Sequence, residues 1–294
     1  MRRKLIQLAG KTLVISLPSV WARKHGLEKG EEIEVSERGR SLVVEPTKPD
    51  RGSTAKVDVS GLNASLVWHA IVSRYIMGFA EIEVSFTQGN ISDPRSGSTV
   101  AVEQAIERTL EVMIGMEIIR NTKRTITIRE VSSTTAEEYP ALLRKVWLMV
   151  LTLIEDGTAG LEKNDQAAFK NALRLERNIN RLSLYALRML HMGVAPEVSN
   201  ALVEGRMLQA LEIMGDALAA LEKVKPSPAL LKQLKLVAAF LRLAYECWFA
   251  FSNESYERVY ATLISIRAFR STDSSFLVSA SELIVESLAG KSAM

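Results

Sequence analysis

The stretch that decides the fold of the N-terminal part is Met1–Pro46, and its centre reads Gly10-Lys-Thr-Leu-Val-Ile-Ser-Leu-Pro18. Within it Leu13 and Ile15 occupy every second position, and the same alternation recurs in Glu32-Ile-Glu-Val-Ser36. A period of two is typical of strands that are buried on one face only. The sequence therefore predicts two hairpins of short strands.

The connections between these strands carry their own signals. Ala9-Gly10-Lys11 and Arg38-Gly39-Arg40 have the glycine-centred composition of hairpin turns. Between the two hairpins, Val20-Trp-Ala-Arg-Lys-His25 is predicted to form a short helical link. A unit of this size cannot bury much of a core by itself, so pairing with a second copy is expected.

Charge is segregated along the same stretch. Every charged side chain before Glu28 is basic. These residues are Arg2, Arg3, Lys4, Lys11, Arg23 and Lys24. Cations concentrated on a small β unit repel one another, and they fit a polyanion better than a bare surface. The alternative is a solvated basic face without a ligand.

The order of these features resembles the SpoVT/AbrB (MazE-like) swapped-hairpin DNA-binding domain. The resemblance rests on the run from Gly10 to Pro18, followed by the short helix and the turn Gly26-Leu-Glu-Lys-Gly30. It implies that two chains interleave their hairpins as a homodimer and that basic side chains on the dimer face bind DNA. Carried over by position, the implied DNA-binding residues are Arg3, Lys4, Lys11, Arg23 and Lys24.

Composition limits the remaining interpretations. The chain has 294 residues, 47% of them apolar and 24% charged, which predicts a globular protein of two or three domains. A net charge of +3 is too small for a binder that is basic throughout, so the DNA hypothesis depends on the local cluster. Cys247 is the only cysteine, which excludes a disulfide framework. We expect a reducing cytoplasm as the compartment and no membrane insertion.

After a Pro- and Gly-containing linker, residues 54–131 are predicted to form a small α/β domain. Strands are expected near 56–59, 80–86, 116–119 and 125–128, and helices near 64–79 and 100–114. The order β-α-β-α-β-β predicts a small α/β sandwich with helices on one face of the sheet. The polar stretch Gln88–Ser98 is predicted to be a loop. We interpret the block as a connector or dimerisation module, with a small-molecule sensor as the alternative.

From about residue 135 to 294 the pattern becomes helical throughout. Helices are predicted near 136–156, 163–191, 197–223, 227–251, 254–269 and 274–289. Asp156-Gly157-Thr158 is among the predicted breaks, and Asn253, Asp273 and Ser274 are predicted helix N-caps. The six helices divide into two sets of three and predict a helical bundle. The chain as a whole is therefore predicted to be a multi-domain α+β protein with divisions at 1–48, 54–131 and 135–294.

The helical half resembles the PhoU family, whose fold is two three-helix repeats and whose members carry Glu/Asp-x-x-x-Asp motifs that can hold metal ions. Leu211-Glu-Ile-Met-Gly-Asp-Ala217 matches this motif and supplies Glu212 and Asp216. In the second match Glu176 is present, but Asn180 stands where an acid is expected. The resemblance implies a divalent or ferric metal ion at these four residues. The alternative is an ordinary bundle whose acids pair with neighbouring arginines.

Catalysis has little support in the sequence. His25, His69 and His191 are scattered, and no metalloprotease motif, phosphate-binding loop or nucleophile elbow occurs. Each histidine is interpreted as a surface or packing residue, and we expect that the protein is not an enzyme.

Together these features predict a DNA-binding transcriptional regulator. The PhoU resemblance implies a link to phosphate uptake or phosphate homeostasis. The competing interpretation is an adaptor that does not bind DNA and instead docks a phosphate transporter or a signalling partner through its helical bundle.

Overall fold

The structure is a computed structural model, and it describes residues 3–8, 10, 12–38, 41–46, 54–132, 139–193, 201–268 and 275–292. The chain separates into two compact units, 1–53 and 54–294. The α+β class expected from the sequence is confirmed, with strands in the N-terminal part and helices in the C-terminal part.

The first unit contains the two expected hairpins. Its elements are β1 (Ile6–Leu8), β2 (Thr12–Val14), α1 (Ser19–Lys24), β3 (Ile33–Arg38) and β4 (Ser41–Pro46). β1 pairs with β2 and β3 pairs with β4, both antiparallel, as two separate two-stranded sheets. The predicted hairpins and the short helix between them are therefore confirmed. The predicted turn residues Ala9, Lys11, Gly39 and Arg40 lie outside the described residues.

The second unit begins with an α/β layer. Its elements are β5 (Thr54–Asp58), α2 (Ala64–Ile76), β6 (Glu81–Ser85), β7 (Asn90–Asp93), β8 (Ser98–Ala101), α3 (Val102–Leu110), β9 (Met116–Asn121) and β10 (Thr125–Glu130). The main sheet has the order β5-β6-β10-β9, in which β5 is parallel to β6 and the other pairs are antiparallel.

Alternation explains how this sheet buries one face. Val57 on β5 and Ile82 and Val84 on β6 are buried, whereas Lys56 is exposed on the other side. Helix α2 begins where the Asn63 side chain accepts a hydrogen bond from the Leu66 backbone, which satisfies one of the free donors of the first turn. The predicted element order is correct apart from an added hairpin.

That hairpin corrects one expectation. The segment Gln88–Ser98 was expected to be a loop, yet it contains β7 and the first residue of β8, paired in antiparallel register. Ile91 pairs with Val100 and both are buried. The prediction was wrong because a single buried pair, Ile91 with Val100, holds this hairpin against the core. One apolar position in each short strand gives too short an alternation to be recognised in the sequence.

The helical part contains α4 (Tyr139–Glu162), α5 (Gln166–His191), α6 (Ala201–Ala219), α7 (Pro228–Phe249), α8 (Asn253–Arg267) and α9 (Ser275–Ser292). Asp165 and Ser227 cap α5 and α7 by accepting from backbone amides of the first turn. The six predicted helices are all present, with shifted ends.

Two details of the helix prediction were wrong. α4 continues through Asp156–Thr158, because Gly157 is where the side chain of Leu218 on α6 packs and no turn is needed there. At α8 the cap is Ser252 rather than Asn253, since the Ser252 side chain accepts from Ser255 N while the Ser255 side chain accepts from Ser252 N. The other predicted caps, Asp273 and Ser274, lie outside the described residues.

The helices pack in two groups. α4, α5 and α6 contact one another, as do α7, α8 and α9, and the groups meet along α6–α9 and α4–α7. One apolar core spans both groups, while a second core fills the α/β layer and includes Leu184 of α5. The two cores are thus joined through α5. The division at 131–135 and the PhoU arrangement of the helices both remain predictions.

Candidate functional site

Arg3, Lys4 and Arg23 of the first unit are exposed. Arg3 and Lys4 precede β1, and Arg23 lies on α1, where its Nε donates to the Ser19 carbonyl at 3.3 Å. Lys24 belongs to α1, but its side chain lies outside the described part, as does all of Lys11. Exposed cations of this kind can bind phosphate groups without reading sequence.

The backbone that carries Arg23 ends in a well-defined turn. Gly26 has φ of +62°, and its amide donates to the Arg23 carbonyl at 3.2 Å. The Leu27 amide donates to the Ala22 carbonyl at 2.9 Å. This pair of bonds is a Schellman cap, which requires a left-handed residue and therefore favours glycine. The Gly26–Gly30 turn thus fixes where α1 ends and where the second hairpin begins.

The first unit exposes most of its large apolar side chains. Eight of them are between 48 and 71% exposed in the single chain. They are Leu5, Ile6, Leu8, Leu13, Ile15, Val20, Val35 and Leu42. Two-stranded sheets with uncovered apolar residues are barely stable in water, so this unit needs another surface to cover it.

The structure brings the predicted metal residues together. Glu176 and Asn180 on α5 are joined by a hydrogen bond from the Asn180 amide to a Glu176 carboxylate oxygen. Burial and then the charge of Asp216 on α6 raise the pKa of Glu176. Burial, followed by the charges of Asp216 and Glu176, raises the pKa of Glu212 to about 7. Three carboxyl groups therefore share one partly buried region between α5 and α6.

This acidic group has the oxygen atoms that hard cations prefer, but its present geometry favours hydrogen bonding. The Asn180 amide faces Glu176 as a donor, and the buried Oδ1 of Asn180 accepts from no residue that the structure describes. Among the described residues, no group of three or more His, Cys, Asp or Glu side chains could hold a metal ion. The metal site at these four residues remains a prediction.

A cleft beside the acidic group was not foreseen in the sequence. It lies between α2, α5 and α6, and Trp68, His69, His191 and Glu212 are among its lining residues. The sequence indicates only two separate surface or packing histidines. They are 122 positions apart in the sequence but line the same cleft. No local pattern could indicate that α2 packs against α5.

No helix in the described part of the chain is long and apolar enough to cross a membrane.

Comparison with known proteins gives a family match for the first unit alone. A model of the family described as MazE_antitoxin, antidote-toxin recognition MazE, bacterial antitoxin, matches residues 6–52. No curated protein and no solved structure matches the chain significantly. The resemblance of the helical region to the PhoU family stays a prediction, whereas the N-terminal unit is similar to the MazE antitoxin family, as its glycine turns and basic cluster indicated.

Proposed function

We propose that this chain is a DNA-binding transcriptional regulator that acts as a homodimer and catalyses no reaction. The observation that carries the proposal is the family match over residues 6–52, in the unit that holds the basic cluster. MazE-like domains bind DNA and dimerise.

Dimerisation through swapped hairpins accounts for the exposed apolar residues of the first unit. Leu13 of β2 and Leu42 of β4 are 62 and 64% exposed in one chain. An interleaved second copy would cover such residues and join the two separate hairpin sheets into a larger structure. It would also place two sets of Arg3, Lys4 and Arg23 on one particle.

Doubling the cations matters because the affinity of proteins for DNA comes largely from phosphate contacts and the release of counterions. α1 has only six residues, so it is short for a helix that reads the major groove. We therefore expect sparse contacts to base edges and a large contribution of DNA shape to specificity.

For the helical region we propose the PhoU-like arrangement and a link to phosphate uptake or homeostasis. The support is the division of α4–α9 into two mutually packed groups of three helices and the acidic motif that contains Glu212 and Asp216. In this proposal the region senses or relays phosphate status to the DNA-binding unit.

A second candidate function is favoured by the description of the matched family. It names recognition of a toxin by a bacterial antitoxin, so the first unit could serve a complex with a toxin protein. This candidate predicts that protein purified from its own cells carries a second, growth-inhibiting polypeptide in stoichiometric amount. Its absence from such preparations would argue against the antitoxin role.

The decisive experiment is capture of genomic DNA by the purified full chain, with and without phosphate, followed by fluorescence anisotropy on the recovered fragments across a salt series. Lys4→Ala and Arg23→Ala should weaken binding, and each lost phosphate contact should reduce the salt slope by about one unit. Phosphate should change the recovered fragments or their affinity.

Lys145→Ala is the matched control, because Lys145 is an exposed cation on α4 in the second unit. It should change neither the affinity nor the slope. Unchanged affinity in the Lys4/Arg23 double variant, with the dimer intact, would favour the adaptor that docks a transport or signalling protein.

A further inference from the structure

The cleft between α2, α5 and α6 has the size and lining of a small-molecule site. Its volume is about 840 Å³, within the range of roughly 300–1,000 Å³ typical of ligand pockets. Its walls are mainly apolar and include Trp68, Val72, Ile76, Leu187 and Leu190. Walls of this kind select for a ligand with a hydrophobic body.

One wall holds a buried hydroxyl that lacks a partner. Ser183 on α5 is 2% exposed and lines the cleft, and its Oγ hydrogen-bonds to no residue that the structure describes. Buried polar atoms are nearly always hydrogen-bonded in folded proteins. An atom of this kind at a cleft wall is available to a hydrogen-bonding group of a ligand.

The cleft holds one carboxyl group, that of Glu212, which carries negative charge above about pH 7. Glu212 lines it and forms no ion pair with any residue in the described part of the chain, and Asp216 and Glu176 lie close enough behind it to raise its pKa. The arginine that also lines the cleft, Arg206, is engaged by Glu286 of α9. His69 and His191 are exposed at the cleft.

An aromatic ring completes the arrangement. The indole of Trp68 lines the same cleft, and its ring lies 4.9 Å from that of His69 in an edge-on arrangement. The face of an indole attracts cations through its quadrupole, more strongly where water is displaced. The half-buried carboxylate and the indole in this apolar cleft therefore both favour a positively charged ligand.

From these observations we infer that the cleft binds a small lipophilic organic cation, an amine or a quaternary ammonium or phosphonium compound. The apolar walls hold its body, Glu212 supplies the opposite charge and Trp68 offers a ring face. In an amine, an N–H can donate to Ser183 Oγ. The site lies entirely within the second unit, so the inference does not depend on DNA binding.

Two probes of the same size and shape and of opposite charge test the inference. Isothermal titration calorimetry of the full chain at pH 8, where Glu212 is ionised, should give saturable binding of tetraphenylphosphonium in the absence of DNA. Glu212→Gln should weaken this binding about tenfold, because it removes the opposing charge in a poorly solvated site. The same substitution should leave binding of tetraphenylborate unchanged or strengthen it. Circular dichroism verifies the fold of each variant.

A steric variant locates the binding independently of charge. Gly205 lines the cleft on α6, and a Cβ added there would meet only Leu187 Cδ2, at 3.6 Å. Gly205→Leu should project a side chain into the cleft and weaken binding about tenfold or more, whereas Gly205→Ala should retain most of it. Glu257→Gln, an exposed acid on α8, is the charge control and should leave affinity unchanged.

Several results would overturn the inference. They are no binding of tetraphenylphosphonium, equal loss of both probes in Glu212→Gln, or binding that Gly205→Leu leaves intact. Displacement of the probe by millimolar Mn²⁺, with Mn²⁺ retained in Gly205→Leu, would assign Glu212 to a metal site instead.

Discussion

Arg188 of α5 donates a hydrogen bond of 2.6 Å to the backbone carbonyl of Tyr75, near the end of α2. Its guanidinium also reaches the Phe79 carbonyl at 3.2 Å and the Glu130 carboxylate at 3.1 Å. The Arg188 side chain is only 1% exposed. A single buried cation therefore bonds backbone carbonyls at and just after the C-terminus of α2 and ties the helical region to the α/β layer.

Arg188→Met should lower the free energy of unfolding of the full chain by about 3–5 kcal/mol, because it leaves the Glu130 carboxylate without its buried cation and removes two hydrogen bonds to backbone carbonyls. Urea unfolding followed by circular dichroism measures this loss.

The control is Arg242→Met, which removes the surface ion pair between Arg242 and Glu155. The Arg242 side chain is 62% exposed, so the loss there should be about 0–1 kcal/mol. Equal effects of the two substitutions would show that the buried contacts of Arg188 do not hold the layers together.

The sequence could predict what depends on near neighbours. Alternation at Leu13 and Ile15 identified the first hairpin, and Gly26 identified the end of α1, because strand period and helix capping are local properties. Glu212 with Asp216, and Glu176 with Asn180, were found as pairs for the same reason, since spacing of four places two residues on one face of a helix. The grouping of the two pairs was implied only by the PhoU resemblance.

What the sequence could not predict depends on distant contacts. The sequence predicts a helix break at Gly157, but the glycine lies inside α4, where the side chain of Leu218 from α6 packs against it. Arg188 was one of several arginines on α5, and its burial follows from the position of α2. The cleft was missed because its walls come from segments more than a hundred residues apart.

Gly160 and Gly205 should respond oppositely to alanine. A Cβ at Gly160 would lie 2.8 Å from the backbone nitrogen of Phe169, so α4 and α5 would have to separate. We expect Gly160→Ala to destabilise the chain by about 1–3 kcal/mol. Thermal or urea unfolding gives the value.

At Gly205 the added methyl meets only a side-chain atom at ordinary contact distance. Gly205→Ala should therefore stabilise the chain by about 0.5–1 kcal/mol, since alanine restricts the unfolded chain and favours the helix. If Gly160→Ala were also stabilising, the close approach of α4 and α5 would be wrong.

Stability should fall as pH rises from about 5 to 8. Burial and the charges of Asp216 and Glu176 raise the pKa of Glu212 from its ordinary value of 4.5 to about 7. Between these values the folded chain keeps a proton that the unfolded chain has lost, so ionisation on the way to pH 8 favours unfolding. The loss should be on the order of 1–3 kcal/mol.

Glu212→Gln should remove this part of the pH dependence and make the variant more stable than the wild type at pH 8. Urea unfolding at pH 5 and pH 8, in buffer with EDTA, measures both effects. Glu257→Gln, on an exposed face of α8, should change stability little at either pH. A wild-type chain that is equally stable at both pH values would contradict the conclusion that burial and the neighbouring carboxylates raise the pKa of Glu212.

A substitution at Leu13 distinguishes a monomeric N-terminal unit from a dimeric one. Leu13 is 62% exposed in the single chain, and an exposed leucine tolerates replacement by aspartate with little loss of stability. If a second copy covers it, Leu13→Asp instead buries an unpaired charge in the interface and should weaken dimerisation by about tenfold or more. Analytical ultracentrifugation at micromolar concentration measures the dimer constant, while the helical circular dichroism signal reports whether residues 54–294 remain folded.

Leu148→Asp is the matched control, because Leu148 on α4 is 49% exposed and belongs to the other unit. A wild-type chain that sediments as a monomer, or a Leu13→Asp chain that remains dimeric, would show that the exposed apolar residues of the first unit are covered by something other than its own copy.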